Sequence, residues 1–219
     1  MTARRLGAVV RRLRAAQPAW KLSAIASLTS ATGRDPFRIL VACLLSLRTR
    51  DETSGPAARR LFALAATPEA ILALPQSRIA TLVSPVAFYR TKAGVLHRVC
   101  RQLLERFQGR VPARLGDLLA LPGVGRKTAN LVVTAGFGLP GICVDTHVHR
   151  ISNRLGFVAT RTPAGTEQAL RARLPRRHWI GFNDLLVTFG QNLCHPTSPR
   201  CSTCPVDDLC PRVGVTRSR

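Results

Sequence analysis

The segment DPFRILVACLLSL, residues 35–47, is apolar on nearly every side of the helix that it predicts. Asp35 is a favourable N-cap and Pro36 suits the first helical position, so the start of this helix is well marked. A helix that is apolar all round has to lie inside the protein. We therefore expect the rest of the chain to pack around this segment.

Other segments also have helical rather than strand spacing. From Tyr89 to Phe107 apolar residues recur every three or four positions, and Gly109 supplies a stop. Further helix starts are marked by Thr67-Pro68-Glu69 and Thr162-Pro163. In the arginine-rich N-terminal segment, a helix would turn these residues inward: Leu6, Val9, Val10 and Leu13. Sustained strand-like alternation is absent, so the sequence predicts an all-α fold.

The charge balance indicates an anionic partner. Lysine and arginine number 33 against 11 acidic residues, which gives a formal net charge of +22 and favours nucleic acid. Lysine occurs only at Lys21, Lys92 and Lys127, so nearly all basic residues are arginines, which make forked contacts with phosphate. No apolar run reaches the roughly 18 residues that a membrane span needs, so we do not expect a membrane protein.

A helix-hairpin-helix is predicted by LGDLLALPGVGRKTANLVVTAGFG, residues 115–138. The first helix runs to Leu121, Pro122 and Gly123 break it, and a second helix starts about Gly125. Glycines leave the first amides of the second helix open, so its positive end can hold a phosphate without reading bases. The PGVG sequence by itself is equally typical of a plain connecting turn.

Lys127 favours a functional site over a plain turn at this hairpin. A residue that only attracts phosphate could be arginine, as at almost every other basic position, whereas lysine can become a neutral nucleophile. Its pKa must first fall from about 10.4, and we expect burial and the positive helix end to lower it. The alternative is a lysine that serves as a point charge on DNA.

Asp145 follows an apolar run in ICVDTHVHRISNRLGF, at the apparent start of a helix. Because the chain has so few acids, Asp145 is a candidate for acid–base or electrostatic work, and the alternative is a plain N-cap. His147 is a weaker candidate for the lining of a pocket. The HVH sequence is a poor metal motif because no further ligand stands at the required spacing.

The seven cysteines form two groups. Three lie in apolar helical contexts and are predicted to be buried: Cys43, Cys100 and Cys143. The other four form C-x6-C-x2-C-x5-C in a proline-rich tail: Cys194, Cys201, Cys204 and Cys210. Two disulfides, a zinc site or a [4Fe-4S] cluster could use this set. An intracellular, DNA-directed protein disfavours disulfides, and one close pair with single flanking ligands favours the cluster over zinc.

Taken in order, the hairpin, the lysine, the aspartate and the cysteine tail resemble the endonuclease III family, the iron–sulfur branch of the helix-hairpin-helix DNA glycosylases. The resemblance is carried by LPGVGRKTAN, VDTHVHR and the cysteine tail, and covers nearly the whole chain. It implies two helical lobes with DNA across the cleft between them. One is a six-helix barrel with the hairpin, residues 29–139, and the other is an iron–sulfur cluster domain, residues 1–28 and 140–219.

The resemblance also implies a bifunctional DNA glycosylase and AP lyase of base excision repair that removes oxidised pyrimidines. Lys127 would attack C1′ of a flipped-out nucleotide and form a Schiff base, and β-elimination would then cleave the strand. Asp145 would assist proton transfer or stabilise positive charge on the sugar. The cofactor would be a [4Fe-4S] cluster on the four tail cysteines, and the partner double-stranded DNA with damaged bases or abasic sites. We expect a monomer in the cytoplasm, associated with the nucleoid.

Further positions follow from the same resemblance. The hairpin residues expected to bind DNA are Gly123, Val124, Gly125 and Arg126. Arg48 stands where relatives often carry a glutamine that fills the gap left by the flipped base, and arginine can donate to an orphan purine. Phe88 stands at the position of an apolar wedge, with a core phenylalanine as the alternative. Ser46, Asp51 and His147 are expected near the pocket, although Asp51 could instead cap the next helix.

Two other functions remain open on the sequence: a monofunctional mismatch adenine glycosylase and a non-catalytic iron–sulfur DNA-binding protein. Adenine mismatch enzymes generally lack a lysine at the position of Lys127 and carry a further C-terminal domain, for which the nine residues after Cys210 leave no room. A binding module needs neither a neutralisable amine nor Asp145. Lys127 therefore favours the bifunctional enzyme.

Overall fold

The computed structural model of the protein describes Thr2–Arg219, so residue 1 of the predicted iron–sulfur domain lies outside the described residues. The helices in this part of the chain are α1 (Ala3–Ala16), α2 (Ala24–Thr32), α3 (Pro36–Ser46), α4 (Asp51–Leu64), α5 (Pro68–Leu72), α6 (Gln76–Val83), α7 (Tyr89–Phe107), α8 (Leu115–Leu119), α9 (Arg126–Leu131), α10 (Thr146–Arg154), α11 (Pro163–Arg173) and α12 (Trp179–Asn192). A π-helical turn, Val132–Gly136, continues α9. Because the residues from Thr2 onward form no strand, the predicted all-α fold is confirmed.

Contacts divide the chain into two compact units. The hairpin unit is Ala24–Leu139, and the cysteine unit combines Met1–Ser23 with Pro140–Arg219. The domain limits expected from the sequence, 29–139 against 1–28 with 140–219, stay a prediction.

Helix α3 forms the centre of the hairpin unit. Its side chains from Phe37 to Leu45 are buried, with the exception of Arg38, and it packs against α4, α7, α9 and the π-helical turn. The carboxylate of Asp35 accepts hydrogen bonds from the amides of Phe37 at 2.9 Å and Arg38 at 3.1 Å. The predicted N-cap and the predicted central position of this helix are both confirmed.

Helix α7 has the predicted bounds, Tyr89–Phe107. Phe88 precedes it in the left-handed conformation, with φ of 58°, and Gln108 follows it in the same conformation. Gly109, with φ of 76°, then donates its amide hydrogen to the Leu103 carbonyl at 2.9 Å, which closes the helix. The predicted stop at Gly109 is therefore confirmed.

The cysteine unit has its own core, built from α1, α10, α11, α12 and the segments that join them. The α1 residues predicted to face inward are at most 2% exposed: Leu6, Val9, Val10 and Leu13. The Thr162 hydroxyl accepts a hydrogen bond from the Gly165 amide at 3.1 Å and so caps α11 as predicted.

The three cysteines outside the tail are buried as predicted: Cys43, Cys100 and Cys143. Burial raises the pKa of Cys43 and that of Cys100 to about 12, so both stay neutral thiols near neutral pH. Among residues 2–219, none of the helices has the combination of length and apolar composition that a membrane crossing requires.

Candidate functional site

The hairpin turn joins α8 to α9 through residues 120–125. Helix α8 ends at Leu119, two residues before the predicted Leu121. Gly123 has a φ of 76°, and a Cβ on it would lie 3.0 Å from a methyl group of Val95, so this position requires glycine. The turn therefore depends on one glycine for its path and for its close approach to α7.

Gly125 differs from Gly123 in what surrounds it. It is the N-cap of α9 with φ of −90°, and a Cβ there would meet no atom within 4 Å. No side chain caps α9, so its first amides are not covered by a capping group. Buried Val124 anchors the turn, while Arg126 is exposed beside the amides. A positive helix start without a side-chain cap, next to an arginine, suits a phosphate.

Lys127 is the second residue of α9, and its side chain is exposed. The expectation that Lys127 is buried is therefore wrong. The amine lies close enough to α3 to act on Cys43: burial raises the pKa of that thiol to about 12, and the Lys127 charge opposes the rise. Lys127 thus lies at the boundary between the hairpin and the central helix.

Arg48 and Phe88 lie together, although they come from different loops. Arg48 lies between α3 and α4, Phe88 directly before α7, and the guanidinium carbon is 5.1 Å from the centre of the phenyl ring. Both residues have left-handed backbone, with φ of 56° and 58°. Phe88 is 57% exposed, so its interpretation as a core residue is wrong.

Two polar residues expected near the pocket have local structural partners. The Ser46 hydroxyl donates to the Cys43 carbonyl at 2.9 Å within the last turn of α3. Asp51 begins α4, whose N-cap is Arg50, and its carboxylate accepts a hydrogen bond from the Ala24 amide at 3.0 Å. Asp51 therefore holds the start of α2, and its interpretation as the N-cap of the next helix is wrong.

Asp145 is the N-cap of α10 in the cysteine unit. One of its carboxylate oxygens accepts a hydrogen bond from the Val148 amide at 2.9 Å, and the side chain is half-buried. Capping is therefore confirmed as part of what Asp145 does. A capping carboxylate has a fixed orientation, which also suits a residue that must stabilise charge at one place.

Two arginines connect α10 to the tail, and one of them also contacts His147. An Arg150 nitrogen lies 3.1 Å from His147 Nδ1 and donates to the Cys194 carbonyl at 2.8 Å. Arg154 donates to the carbonyls of His195 and Pro196, each at 2.6 Å. Neither arginine stands out in the sequence, because nothing in the local pattern of α10 distinguishes them from the many other arginines.

The four tail cysteines line one pocket: Cys194, Cys201, Cys204 and Cys210. Its other walls are mostly apolar and include Ile151, Leu155, Phe189, Leu193 and Val206. Burial and then the neighbouring thiols raise the pKa of Cys204 to about 11. Within residues 2–219, no three His, Cys, Asp or Glu side chains are grouped as ligands of a metal ion. The four cysteine side chains thus share one pocket.

Comparison with known proteins identifies the family. Residues 41–176 match the HhH-GPD superfamily base excision DNA repair proteins. Endonuclease III of Thermotoga maritima is 46% identical over 176 residues, which are 80% of this chain and 83% of that protein. The chain belongs to the endonuclease III family. It matches 48% of the length of the chloroplastic endonuclease III homolog 1 of Arabidopsis thaliana, at 43% identity over 80% of this chain.

Solved structures of endonuclease III agree with this membership. A non-covalent endonuclease III–DNA complex matches 97% of this chain and 96% of its own, with a TM-score of 0.84 and 32% identity. A trapped covalent endonuclease III–DNA intermediate matches 92% and 95%, with a TM-score of 0.76 and 33% identity. The predicted resemblance is confirmed, and this member of the endonuclease III family is a base excision repair DNA glycosylase with AP lyase activity.

Proposed function

We propose that Lys127 is the nucleophile of this glycosylase and that oxidised pyrimidines in duplex DNA are its substrates. The observation that carries the proposal is the position of Lys127, which is exposed on the first turn of α9. It directly follows the hairpin turn, where the space around Gly125 is empty of other protein atoms. Almost all other basic residues of the chain are arginines, yet position 127 is a lysine, whose amine can form a covalent bond.

The reaction proceeds in two stages. In the first, Lys127 Nζ bonds to C1′ of the flipped nucleotide, the bond between C1′ and the base breaks, and the base leaves with the electron pair and takes up a proton. Loss of the amine proton and opening of the sugar ring then give the Schiff base. In the second stage, a base removes a proton from C2′, and the bond between C3′ and the phosphate oxygen breaks by β-elimination. Water finally releases Lys127.

Asp145 is the proposed partner of this chemistry. It assists proton transfer from the amine, or stabilises the positive charge that develops on the sugar as the base leaves. Its orientation is fixed by the bond from the Val148 amide, so its carboxylate keeps one direction through the reaction. His147, Ser46 and Asp51 are proposed to line the pocket that receives the damaged base.

The hairpin binds the DNA backbone in this proposal. The start of α9 at Gly125 and the exposed Arg126 receive a phosphate, while Gly123 and buried Val124 fix the shape of the turn. Arg48 fills the gap left by the flipped nucleotide and donates to the orphan purine, and Phe88 wedges between neighbouring bases. The exposure of both side chains supports these two roles.

A [4Fe-4S] cluster is the proposed cofactor of the cysteine unit. The residues fit it because four cysteine side chains line one largely apolar pocket, and one close pair with single flanking ligands is the spacing that favours a cluster over zinc. When bound, the cluster would supply four metal–sulfur bonds that cross-link a segment with few apolar residues. Arg154 and Arg150 hold the backbone at Cys194, His195 and Pro196 by hydrogen bonds to the carbonyls.

The proposed partner is double-stranded DNA with damaged bases or abasic sites, bound by a monomer. The net charge of +22 supports a polyanionic partner. We place the enzyme in the cytoplasm, on the nucleoid.

Borohydride reduction tests the role of Lys127. On duplex DNA with an abasic site, the wild-type protein should be trapped covalently, because borohydride reduces a Schiff base to a stable amine. Lys127→Arg should retain DNA binding and lose trapping, since arginine keeps the charge and forms no Schiff base. Lys21→Ala, which changes another exposed lysine, is the control and should be trapped like the wild type. Undiminished trapping of Lys127→Arg would show that the nucleophile lies elsewhere.

Metal analysis tests the cofactor. The purified protein should contain iron and acid-labile sulfide and absorb broadly in the visible range, and Cys204→Ser should lose both the colour and much of the iron. Cys100→Ser is the matched control, because that thiol lies outside the tail. A colourless wild-type protein with stoichiometric zinc would contradict the cluster.

A further inference from the structure

Lys92 takes no part in the chemistry above, yet it is one of three lysines in the chain and is buried, with 8% of its surface exposed. Its Nζ donates to the Leu45 carbonyl at 2.7 Å and to the Leu47 carbonyl at 2.6 Å. The Thr49 hydroxyl lies 3.3 Å away as a third acceptor. All three acceptors belong to the segment that leads from the end of α3 through Arg48. This one ammonium group therefore bonds to the chain both before and after Arg48.

The backbone of Lys92 connects to the other loop. Its amide donates to the Phe88 carbonyl at 2.9 Å in the first turn of α7. Thr49 joins the two loops a second time, because its hydroxyl accepts a hydrogen bond from the Ala87 amide at 3.2 Å. Lys92 therefore bonds the Arg48 loop through its side chain and the Phe88 loop through its backbone.

Both loops need such support, because Arg48 and Phe88 have left-handed backbone that side chains with a Cβ adopt at an energetic cost. The guanidinium of Arg48 stacks on the exposed ring of Phe88 at 5.1 Å, an arrangement that a cation–π attraction favours. Exposed side chains on two separate loops would otherwise lose rotamer freedom on entering DNA, which weakens binding. A pair held in advance avoids much of that loss.

We propose that Lys92 is a positioning residue that holds Arg48 and Phe88 as one stacked pair, ready to enter the gap in the duplex, and so sets the preference for the base opposite the lesion. The proposal rests on the proposed function of Arg48 and Phe88 at that gap. Lys92 itself is buried behind the pair and acts through it.

The residue type at position 92 supports this role. Burial lowers the pKa of Lys92 to about 8, so the charged side chain is held there at an energetic cost that an apolar side chain would avoid. An ammonium group can donate hydrogens in three directions, as the two carbonyls and the hydroxyl require, whereas the planar fork of arginine cannot. Packing by itself therefore does not account for a lysine at this position.

A double-mutant cycle tests the proposal. Single-turnover base release is measured on one lesion placed opposite guanine and opposite adenine, and the ratio of the two rates is compared between variants. Lys92→Met, which removes the donors and keeps most of the volume, should move the ratio about tenfold towards that of Arg48→Ala. In the Arg48→Ala background the same change should leave the ratio where it is, because Lys92 acts through Arg48.

Leu103→Ala is the matched control. It removes a fully buried side chain from the same helix without touching either loop, so it should lower stability and keep the wild-type ratio. A wild-type ratio in Lys92→Met, or an unchanged effect of Lys92→Met in the Arg48→Ala background, would overturn the positioning role. If Lys92→Met fails to fold, Thr49→Val removes the shared hydroxyl and should move the ratio in the same direction.

A binding measurement separates this proposal from the proposed function. The fluorescence of 2-aminopurine opposite an abasic site should change when wild-type protein binds, and change less with Lys92→Met, at concentrations that saturate the DNA with each protein. Equal changes for both proteins would overturn the positioning role even if borohydride trapping is normal. Absence of trapping by the wild type would instead overturn the role of Lys127 and leave the fluorescence result standing.

Discussion

Lys92 and Lys127 have opposite surroundings within the hairpin unit, which suits the two different tasks proposed for them. Lys127 is exposed at the start of α9, where its amine can reach a reactant, whereas Lys92 is enclosed by backbone carbonyls on the inner side of two loops. What differs is the surroundings. An amine with three acceptors around it holds the protein together, and an amine that faces solvent beside a positive helix end can react.

The stability of the protein should depend on pH through Lys92. Burial lowers its pKa from the ordinary 10.5 to about 8, so between these values the unfolded chain binds a proton that the folded protein has released. The contribution of Lys92 to stability therefore rises as the pH increases through this window. Urea unfolding of the wild type and of Lys92→Met at several pH values should show their difference shifting in favour of the wild type. A difference that shifts the other way would contradict the lowered pKa.

At the level of single residues, the sequence indicated which residues are candidates for a role, but not which residues they contact or how exposed they are. The resemblance pointed to Arg48 and Phe88 separately, and their stacking became visible only in the fold. Lys92 was missed because its acceptors lie 43 to 47 positions away in the sequence. The sequence did contain one indication, because Lys92 is one of only three lysines in a chain whose other basic residues are arginines. The exposure of Lys127 could not be predicted, because the residue pattern of a short helix does not tell which side its neighbours cover.

At the level of elements, caps and glycines carried most of the correct predictions. Asp35, Thr67 and Thr162 each accept the predicted hydrogen bond at a helix start. The π-helical turn after α9 was not predicted. A Cβ on Gly136 would lie 3.1 Å from Cα of Pro36, so the shape of this turn depends on the close approach of α3, which is remote in the sequence.

The two hairpin glycines should respond differently to the same substitution. Gly123→Ala should lower the free energy of unfolding by about 1–2 kcal/mol, because alanine disfavours φ of 76° and its methyl group would press on Val95. Gly125→Ala should change stability by less than about 0.5 kcal/mol, since the space there is open, but should weaken binding to abasic-site DNA. Urea unfolding and fluorescence anisotropy measure the two effects. Equal losses of stability would contradict the assignment of Gly125 as the glycine with open space around it.

At the level of the whole molecule, charge should govern affinity. With a net charge of +22, contacts to six or more phosphates would lower the affinity by about a thousandfold or more between about 50 and 200 mM salt. Arg126→Gln should reduce the slope of log K against log salt by about 1, and Arg126→Lys should leave the slope unchanged. Anisotropy titrations at several salt concentrations provide the measurement. An affinity independent of salt would contradict binding through phosphates.

The composition of the cysteine unit from two separate segments has a consequence for biosynthesis. The hairpin unit is one continuous stretch, so it can fold on the ribosome as soon as it has emerged. Helix α1 is made earlier, but its apolar side must wait for α10 and α12 before it is covered. Helix α1 contains arginines and no acidic residue. These like charges keep the early segment hydrated and make it repel other copies of itself during the delay.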